Sequence, residues 1–431
     1  MSDYKVAIIG SGPAGMSAAA RAAKDGLSHI LLERTPHPND TIFMYQKKKH
    51  VMATPEFLPL RSDLEFAEES REEVIESWTK GIEAAGVNLR LNAEVTSIAR
   101  ENGAFTLGIA GGDKLSAEFV VLAIGVQGNL NKLTIPGADL PLIQYQLDDP
   151  DEYKGEEIAV IGVGDAGLEN ALGLAANNMV TIINTGVDFP RAKPANAALI
   201  QAAINRGDIQ HVVNAKPRQI EAGYLVLDTG EGEARIKCDR IIARIGATPP
   251  RKFVESCGIK FPSDSPTSFP QVSETYESQV PGLYIVGALA GSPLIKHCLN
   301  QGYEAVEALQ GHHIPPADEP LIEEKIARAA IALSVSDLVA AVRALPLFAA
   351  LTPLQIREIL IHADLHRKNP GEVVIERGEY ANSVFSVLEG EVGQHVGEVL
   401  GVASLVQQRA EVVLAAVREH AEVDLVRHAH R

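Results

Sequence analysis

Cysteine is scarce here: Cys238, Cys257 and Cys298 are the only three in 431 residues, and no two of them form a CxxC pair. That excludes a disulfide framework and a four-cysteine metal site, and leaves reduced, buried thiols as the plain reading. No metal site is expected. Basic charge is short as well, with 39 Lys and Arg against 56 Asp and Glu and a net charge of −17. Phosphate-backbone affinity comes from clustered Lys and Arg, so a generic nucleic-acid binder is disfavoured. Nor does any uninterrupted apolar run approach the roughly 18 to 20 residues of a membrane span. The opening "MSDYKVAIIG" enters a strand directly, with none of the basic and apolar regions of a secretory signal. A cytoplasmic location is the expectation.

What the chain has is length for two or three domains and a glycine pattern that occurs twice. In "KVAIIGSGPAG" an apolar strand runs into Gly10, Gly12 and Gly15, and "MSAAARAAKDG" follows as a helix that stops at Gly26. Strand, glycine turn and helix in this order form the dinucleotide fingerprint. The first glycine allows the tight turn, the second lets backbone approach a pyrophosphate, and the third lets helix pack on strand. The helix N-terminus offers free N–H groups to the phosphates. The next apolar strand, "HILLE", ends in Glu33, a carboxylate placed to accept hydrogen bonds from a ribose.

The second copy is "IAVIGVGDAG", with Gly162, Gly164 and Gly167 leading into "LENALGLAANN" and then the strand "VTIIN". That strand ends at Asn184 rather than at an acid, and Arg191 and Lys193 follow within "FPRAKPAN". Two cations there suit a 2′-phosphate and favour NADPH slightly over NADH. "FVVLAIG" (119–125) and "DRIIARIGATPP" (239–250) read as the closing strands of the two units, each running into a glycine. The chain then returns through "GLYIVGALAGSPLIKHCLNQGYEAVEALQG" (282–311), a strand, a glycine turn and a long helix.

This order of motifs resembles the two-dinucleotide-binding-domain flavoproteins, and among them the low-molecular-weight thioredoxin reductases, over residues 1 to about 312. The resemblance implies an α/β fold of two Rossmann-like domains, an FAD domain (1–147 and 251–312) split by an inserted NAD(P)H domain (148–250). It implies that Gly10, Ser11, Gly12, Pro13, Ala14, Gly15, Glu33 and Arg34 hold the ADP half of FAD. Val95, Ala123, Gly125, Gly287, Ala288, Lys296 and Gln301 then approach the rest of that cofactor. Gly162, Gly164, Asp165, Ala166, Gly167, Arg191, Lys193 and Gly246 would hold the nicotinamide nucleotide. Relatives rotate one domain against the other, which places hinges near 146–152 and 248–252, and they imply a homodimer.

Two departures bear on function. Thioredoxin reductases carry a redox CxxC just before the second fingerprint, whereas "LIQYQLDDPDEYKGEEIAVIG" has no cysteine. A dithiol relay through the protein is excluded, as in the ferredoxin reductases and bacillithiol-disulfide reductases that share this architecture. Secondly, Ala288 stands where relatives place an aspartate on the FAD ribityl chain; losing one charge-assisted hydrogen bond costs about 1.5 to 3 kcal/mol if nothing replaces it. Cys298 is a minor candidate for thiol catalysis near the flavin. The run Lys47, Lys48, Lys49 and His50 is a candidate to stabilise reduced flavin or to dock an acidic electron-transfer protein, against the alternative of a solvated basic loop.

After Pro315, Pro316 and Pro320 the composition changes: 313–344 reads as linker and helix, and 345–431 as a further domain. Residues 345–392 resemble the start of a cyclic-nucleotide-binding domain, a small α+β β-roll with glycine at its corners. Gly397, Glu398 and Arg409 stand near the spacing of its phosphate site. Only four residues separate Val392 from Gly397, where two more strands belong, and the tail from Leu405 reads as helix. The β-roll is expected to be incomplete, with cyclic-nucleotide binding, partner docking and a remnant all open. His428 and His430 are too poorly spaced on a helix face for metal.

The expectation is an FAD-dependent NAD(P)H oxidoreductase that discharges to an external acceptor: a ferredoxin-like protein, a quinone or a low-molecular-weight disulfide. The alternative is a non-catalytic sensor of redox state or nucleotide that uses the same fold with a C-terminal docking domain.

Overall fold

The computed structural model describes residues 2–369 except 102 and 293, and beyond these 372–375, 383–388, 392–396, 403–407 and 412–418. Two parallel sheets are built to one plan. In the first, strand Tyr4–Ile9 lies between His29–Leu32 and Lys114–Leu122, parallel to both, with Val6 opposite His29 and Phe119. Its run reads as continuously apolar because both faces are covered: Val6, Ala7 and Ile8 are all fully buried. In the second, Glu157–Ile161 lies between Met179–Ile183 and Arg240–Ala243, again parallel to both. Each plan carries a three-stranded antiparallel meander, Val95–Glu101 to Lys114–Leu122 in the first and Lys216–Lys237 in the second.

Between the sheets the chain crosses twice. Strand Ile143–Gln144 already pairs with Ile241 and Ile242 of the second sheet, and Leu283–Ile285 later returns to the first beside Val120–Leu122. The second unit is thus inserted into the first. Each has its own apolar core: Met16, Trp78 and Phe105 belong to the first, whereas Leu168, Leu174 and Ile242 fill one face of the second.

The returning chain ends in helix Ile295–Leu309, which lies on the first fingerprint helix Pro13–Lys24 at backbone contact. A Cβ on Gly302 would fall inside the radius of the Ala14 carbonyl oxygen, so only glycine permits this approach. Ser17 Oγ donates to Leu299 O at 2.6 Å across the same seam.

Three helices follow, Glu319–Arg328, Val335–Arg343 and Pro353–His362, the last two opened by capping boxes at Ser334 and Thr352. Two small antiparallel sheets come next: Asp364–Lys368 and Ser383–Val387 flank Val412–Arg418, and Val373–Ile375 and Val392–Val396 flank Ala403–Gln407. Over 405–407 and 412–418 this corrects the reading of the tail as helix; the rest of the tail lies outside the described residues. The alanines and glutamines of 403–418 have helical propensity, but Val412, Val413 and Val417 are β-branched, and cross-strand pairing with residues some fifty positions earlier decides the outcome. Among the described residues no helix is long and apolar enough to cross a membrane.

Candidate functional site

The two fingerprints make the same two close contacts and leave the same gap between them. A Cβ on Gly10 (φ +93°) would stand 2.7 Å from the Ala123 carbonyl oxygen, and one on Gly162 (φ +109°) would meet the carbonyl of Arg244 even more closely. Gly15 and Gly167 are pressed on the carbonyl oxygens of Gly10 and Gly162, leaving no room for a methyl group. Between them, a Cβ on Gly12 or Gly164 would meet nothing within 4 Å. Each opens a helix, Pro13–Lys24 or Asp165–Ala175, as an N-cap without a side-chain capping bond. The unoccupied side of each turn is therefore a row of N–H donors at a helix N-terminus, the arrangement that takes a pyrophosphate.

The first cradle opens into a cavity of about 550 Å³. Gly10, Ser11, Gly12, Pro13, Ala14, Glu33 and Arg34 face it at one end, and Val95, Ala123, Gly125, Gly287 and Ala288 continue its wall. Glu33 does more here than the sequence suggests. Its Oε2 accepts from Ser11 N (2.9 Å) and Ser11 Oγ (2.7 Å), and its Oε1 from Thr35 N (3.0 Å), while the single Thr35 hydroxyl proton lies closer to His37 O (2.8 Å) than to Oε1 (3.2 Å). A carboxylate has about four acceptor positions, so Glu33 pins the glycine turn and still has an acceptor position for a ribose hydroxyl. Asn39 carries no motif and was not anticipated. Its left-handed backbone (φ +61°) is held by Ser11 O at 3.0 Å, and its side-chain amide is buried with neither Oδ1 nor Nδ2 bonded among the described residues. An unbonded buried amide is costly, and a polar ligand seated at the Ser11 turn is the kind of group that relieves it.

Two expected residues do not reach the cavity wall. The Lys296 ammonium turns away and donates to Pro55 O at 2.7 Å, with burial lowering its pKa, so it anchors a loop. Gln301 is buried behind the wall, where its Oε1 accepts from Gly287 N (2.8 Å) and its Nε2 donates to Ser292 Oγ (2.8 Å). It staples both ends of the turn that carries Ala288.

Cys298 does line the cavity, but its thiol donates to Ser292 O at 3.2 Å and burial pushes it up to about 12. At neutral pH it is a protonated packing group. Cys238 and Cys257 are likewise buried and pushed up to about 11.

The basic run is largely solvated, with Lys47, Lys48 and His50 exposed, yet each of its cations faces an acid. Lys47 pairs with Asp149 (2.6 Å), Lys48 with Asp151 (3.6 Å), Lys49 with Glu169 (2.6 Å) and His50 with Glu68 (3.7 Å). Three of these acids belong to the second unit or its approach, so the loop bridges the two domains; the sequence could not show it, because the partners lie about a hundred residues away. Tyr45, which lines the cavity, lies under the Lys49 ammonium at 4.8 Å, and burial raises its phenol to about 12. The partly exposed Lys49–Glu169 pair contributes under about 1 kcal/mol.

At the second cradle, Asp165 Oδ1 accepts from Lys193 N (2.8 Å) and Asn196 Nδ2 (2.9 Å) and ties the 191–196 loop beside the glycine turn. Arg191 is exposed there, Ala166 is partly buried in the first helical turn, and Gly246 (φ +85°) is exposed after the closing strand. Asn184 spends its amide on its own turn, donating to Asp188 O (2.9 Å) and accepting from Gly186 N (2.9 Å). Arg244, unflagged in the sequence, follows the closing strand where the first unit has Ala123; its Nη1 donates to Tyr145 O at 2.6 Å and burial lowers its pKa. Gly397, Glu398 and Arg409 lie outside the described residues, as do His428 and His430.

A sequence profile of the pyridine nucleotide-disulphide oxidoreductases matches residues 7–287. The chain is 25% identical over 307 residues to a ferredoxin–NADP reductase of Ignicoccus hospitalis, covering 69% of this chain and 94% of that protein. It is 27% identical over 298 residues to the bacilliredoxin reductase of Bacillus subtilis, covering 67% and 91%. Among solved structures, the bacillithiol disulfide reductase of Staphylococcus aureus superposes with a TM-score of 0.66 at 24% identity, over 72% of this chain and 99% of the other. A Lactococcus lactis thioredoxin reductase gives 0.60 at 24%, over 72% and 98%.

Proposed function

Since the chain belongs to the pyridine nucleotide-disulphide oxidoreductase family and is an FAD-dependent NAD(P)H oxidoreductase, we propose that it passes electrons from NADPH or NADH through FAD to an acceptor outside the chain. The observation that carries this reading is the pair of matched glycine cradles, one of them opening on the 550 Å³ cavity, with no dithiol beside it.

In this reading Gly12 and the N-terminus of helix Pro13–Lys24 receive the FAD pyrophosphate, and Gly164 with helix Asp165–Ala175 receives that of the nicotinamide nucleotide. Arg191 and Lys193 favour the 2′-phosphate of NADPH. Bound FAD would accept a hydride from the nicotinamide and release two electrons onward. The protein positions the two cofactors and keeps water from the cavity. Protonated Cys298 takes no part, so a quinone or disulfide acceptor would gain two electrons and two protons, and a ferredoxin-like protein one electron per encounter. The domain assignments 1–147 with 251–312 for FAD and 148–250 for NAD(P)H belong to the proposal, as do a homodimer, a cytoplasmic site of action and hinges at 146–152 and 248–252. The Lys47–Asp149 pair sits on the first hinge. The segment after residue 345 is read as an incomplete β-roll of the cyclic-nucleotide-binding kind.

The experiment is NADPH oxidation by the full-length protein with a plant-type ferredoxin, menadione or a low-molecular-weight disulfide as acceptor, before and after alkylation with iodoacetamide. Turnover with at least one acceptor, unaffected by alkylation, is expected. Turnover abolished by alkylation of the native protein would mean that a thiol relays the electrons and would refute the proposal.

A further inference from the structure

The C-terminal extension touches the wall of the flavin cavity. The S. aureus relative is matched over 99% of its own length by 72% of this chain, and the family profile ends at residue 287. Helix Pro353–His362 lies beyond the residues that the family profile matches, yet it is seated on the turn Gly287–Ser292. A Cβ on Gly291 (φ +99°) would stand 3.5 Å from the side chains of both Gln355 and Thr352, so the first turn of the helix lies directly against that glycine. Gln355 is buried, and its Oε1 accepts from Thr352 N at 2.9 Å, which fixes the helix start where it meets the turn. Leu354 is buried in the core of the first domain.

A second tether holds the same helix from behind. Buried Arg357 grips Asp318 through Nε (3.1 Å to each carboxylate oxygen) and Nη2 (2.5 Å), and reaches Glu319 with Nη2 at 2.5 Å. The neighbouring Ala317 N donates to Glu304 Oε1 at 2.7 Å, and Glu304 belongs to the helix that carries Ile295 and Cys298 in the cavity wall. Helix, linker and cavity wall form a closed mechanical loop. It acts on the turn that holds Ala288, the position without the aspartate.

We propose that the flavin site of this protein is completed by its own C-terminal extension, with Gln355 and Arg357 as positioning residues that hold the Gly287–Ser292 turn from outside. The inference rests on the FAD reading above. External support of the turn backbone takes over the anchoring that a ribityl-binding carboxylate would give. Helix Pro353–His362 passes into strand Asp364–Lys368 with Ala363 alone between them, so displacement of the C-terminal sheets is transmitted to the turn.

The test compares full-length holoprotein with Gln355→Ala, Arg357→Met, Arg357→Lys and Leu354→Asp, the last placing a charge in the first core. FAD dissociation is followed by the rise in flavin fluorescence on dilution, and the flavin midpoint potential by dye equilibration. Arg357→Met and Leu354→Asp are expected to weaken FAD binding by about tenfold or more, with Arg357→Lys intermediate and the potential moved in each. FAD affinity within twofold of the unsubstituted protein in all four variants overturns the proposal. So does a loss that merely tracks a lower melting temperature of the apoprotein with the potential unmoved. Unsubstituted protein that never binds FAD would instead overturn the cofactor reading itself.

Discussion

Gly15→Ala is expected to give a folded but colourless protein. Any Cβ at this position falls inside the Gly10 carbonyl oxygen, and since the backbone fixes the Cβ position and the oxygen is itself backbone, no rotamer relieves the clash. The start of helix Pro13–Lys24 has to move off the strand end, which destroys the cradle at Gly12 that faces the cavity. Overpacking of a tight site ordinarily costs about 1 to 3 kcal/mol, and here the loss falls on the cofactor-binding turn. FAD affinity should drop by about a hundredfold or more, the upper part of that range. The ratio of visible to ultraviolet absorbance after gel filtration, with and without added FAD, measures it. A variant that keeps full flavin content would show that the turn is not the FAD cradle.

Gly167→Ala should separate the two cofactors. Its Cβ meets the Gly162 carbonyl just as that of Gly15 meets Gly10, but in a unit with its own core. The damage should stay local, leaving a yellow protein that dithionite reduces and NADPH does not. The rate of flavin bleaching by NADPH under anaerobic conditions should fall by about a hundredfold, by the same overpacking argument. Loss of flavin together with loss of reduction would mean that the two cradles are not independent. Retention of both would remove the second fingerprint from nucleotide binding.

The parts of this site legible in the sequence are those whose physics is local. Within each fingerprint the first glycine takes a positive φ, the third is pressed on the carbonyl of the first, and the middle one leaves the turn open, so Gly10, Gly12 and Gly15 and their second copy could be read in order. The missing CxxC was equally plain. Contacts made over long separations leave no such trace. Lys47 and Lys49 look like a free basic patch until Asp149 and Glu169 are folded against them. The family resemblance sets Lys296 and Gln301 beside the flavin, and the sequence does not show that their hydrogen-bond partners are Pro55 O and Gly287 N. The strand Val412–Arg418 was masked by alanine-rich composition, and its pairing with Asp364–Lys368 is a tertiary effect. The seat of Gln355 on Gly291 has no sequence signature, since it depends on where one helix lands on another element's turn.

The most direct test of the central claim is an anaerobic titration of the purified full-length protein with NADPH, and separately with NADH, followed through the flavin absorption band. The account predicts a protein that carries or takes up FAD and bleaches stoichiometrically, with NADPH the faster donor. A protein that cannot be reconstituted with FAD, or a flavin that dithionite bleaches while neither nucleotide does, would contradict it.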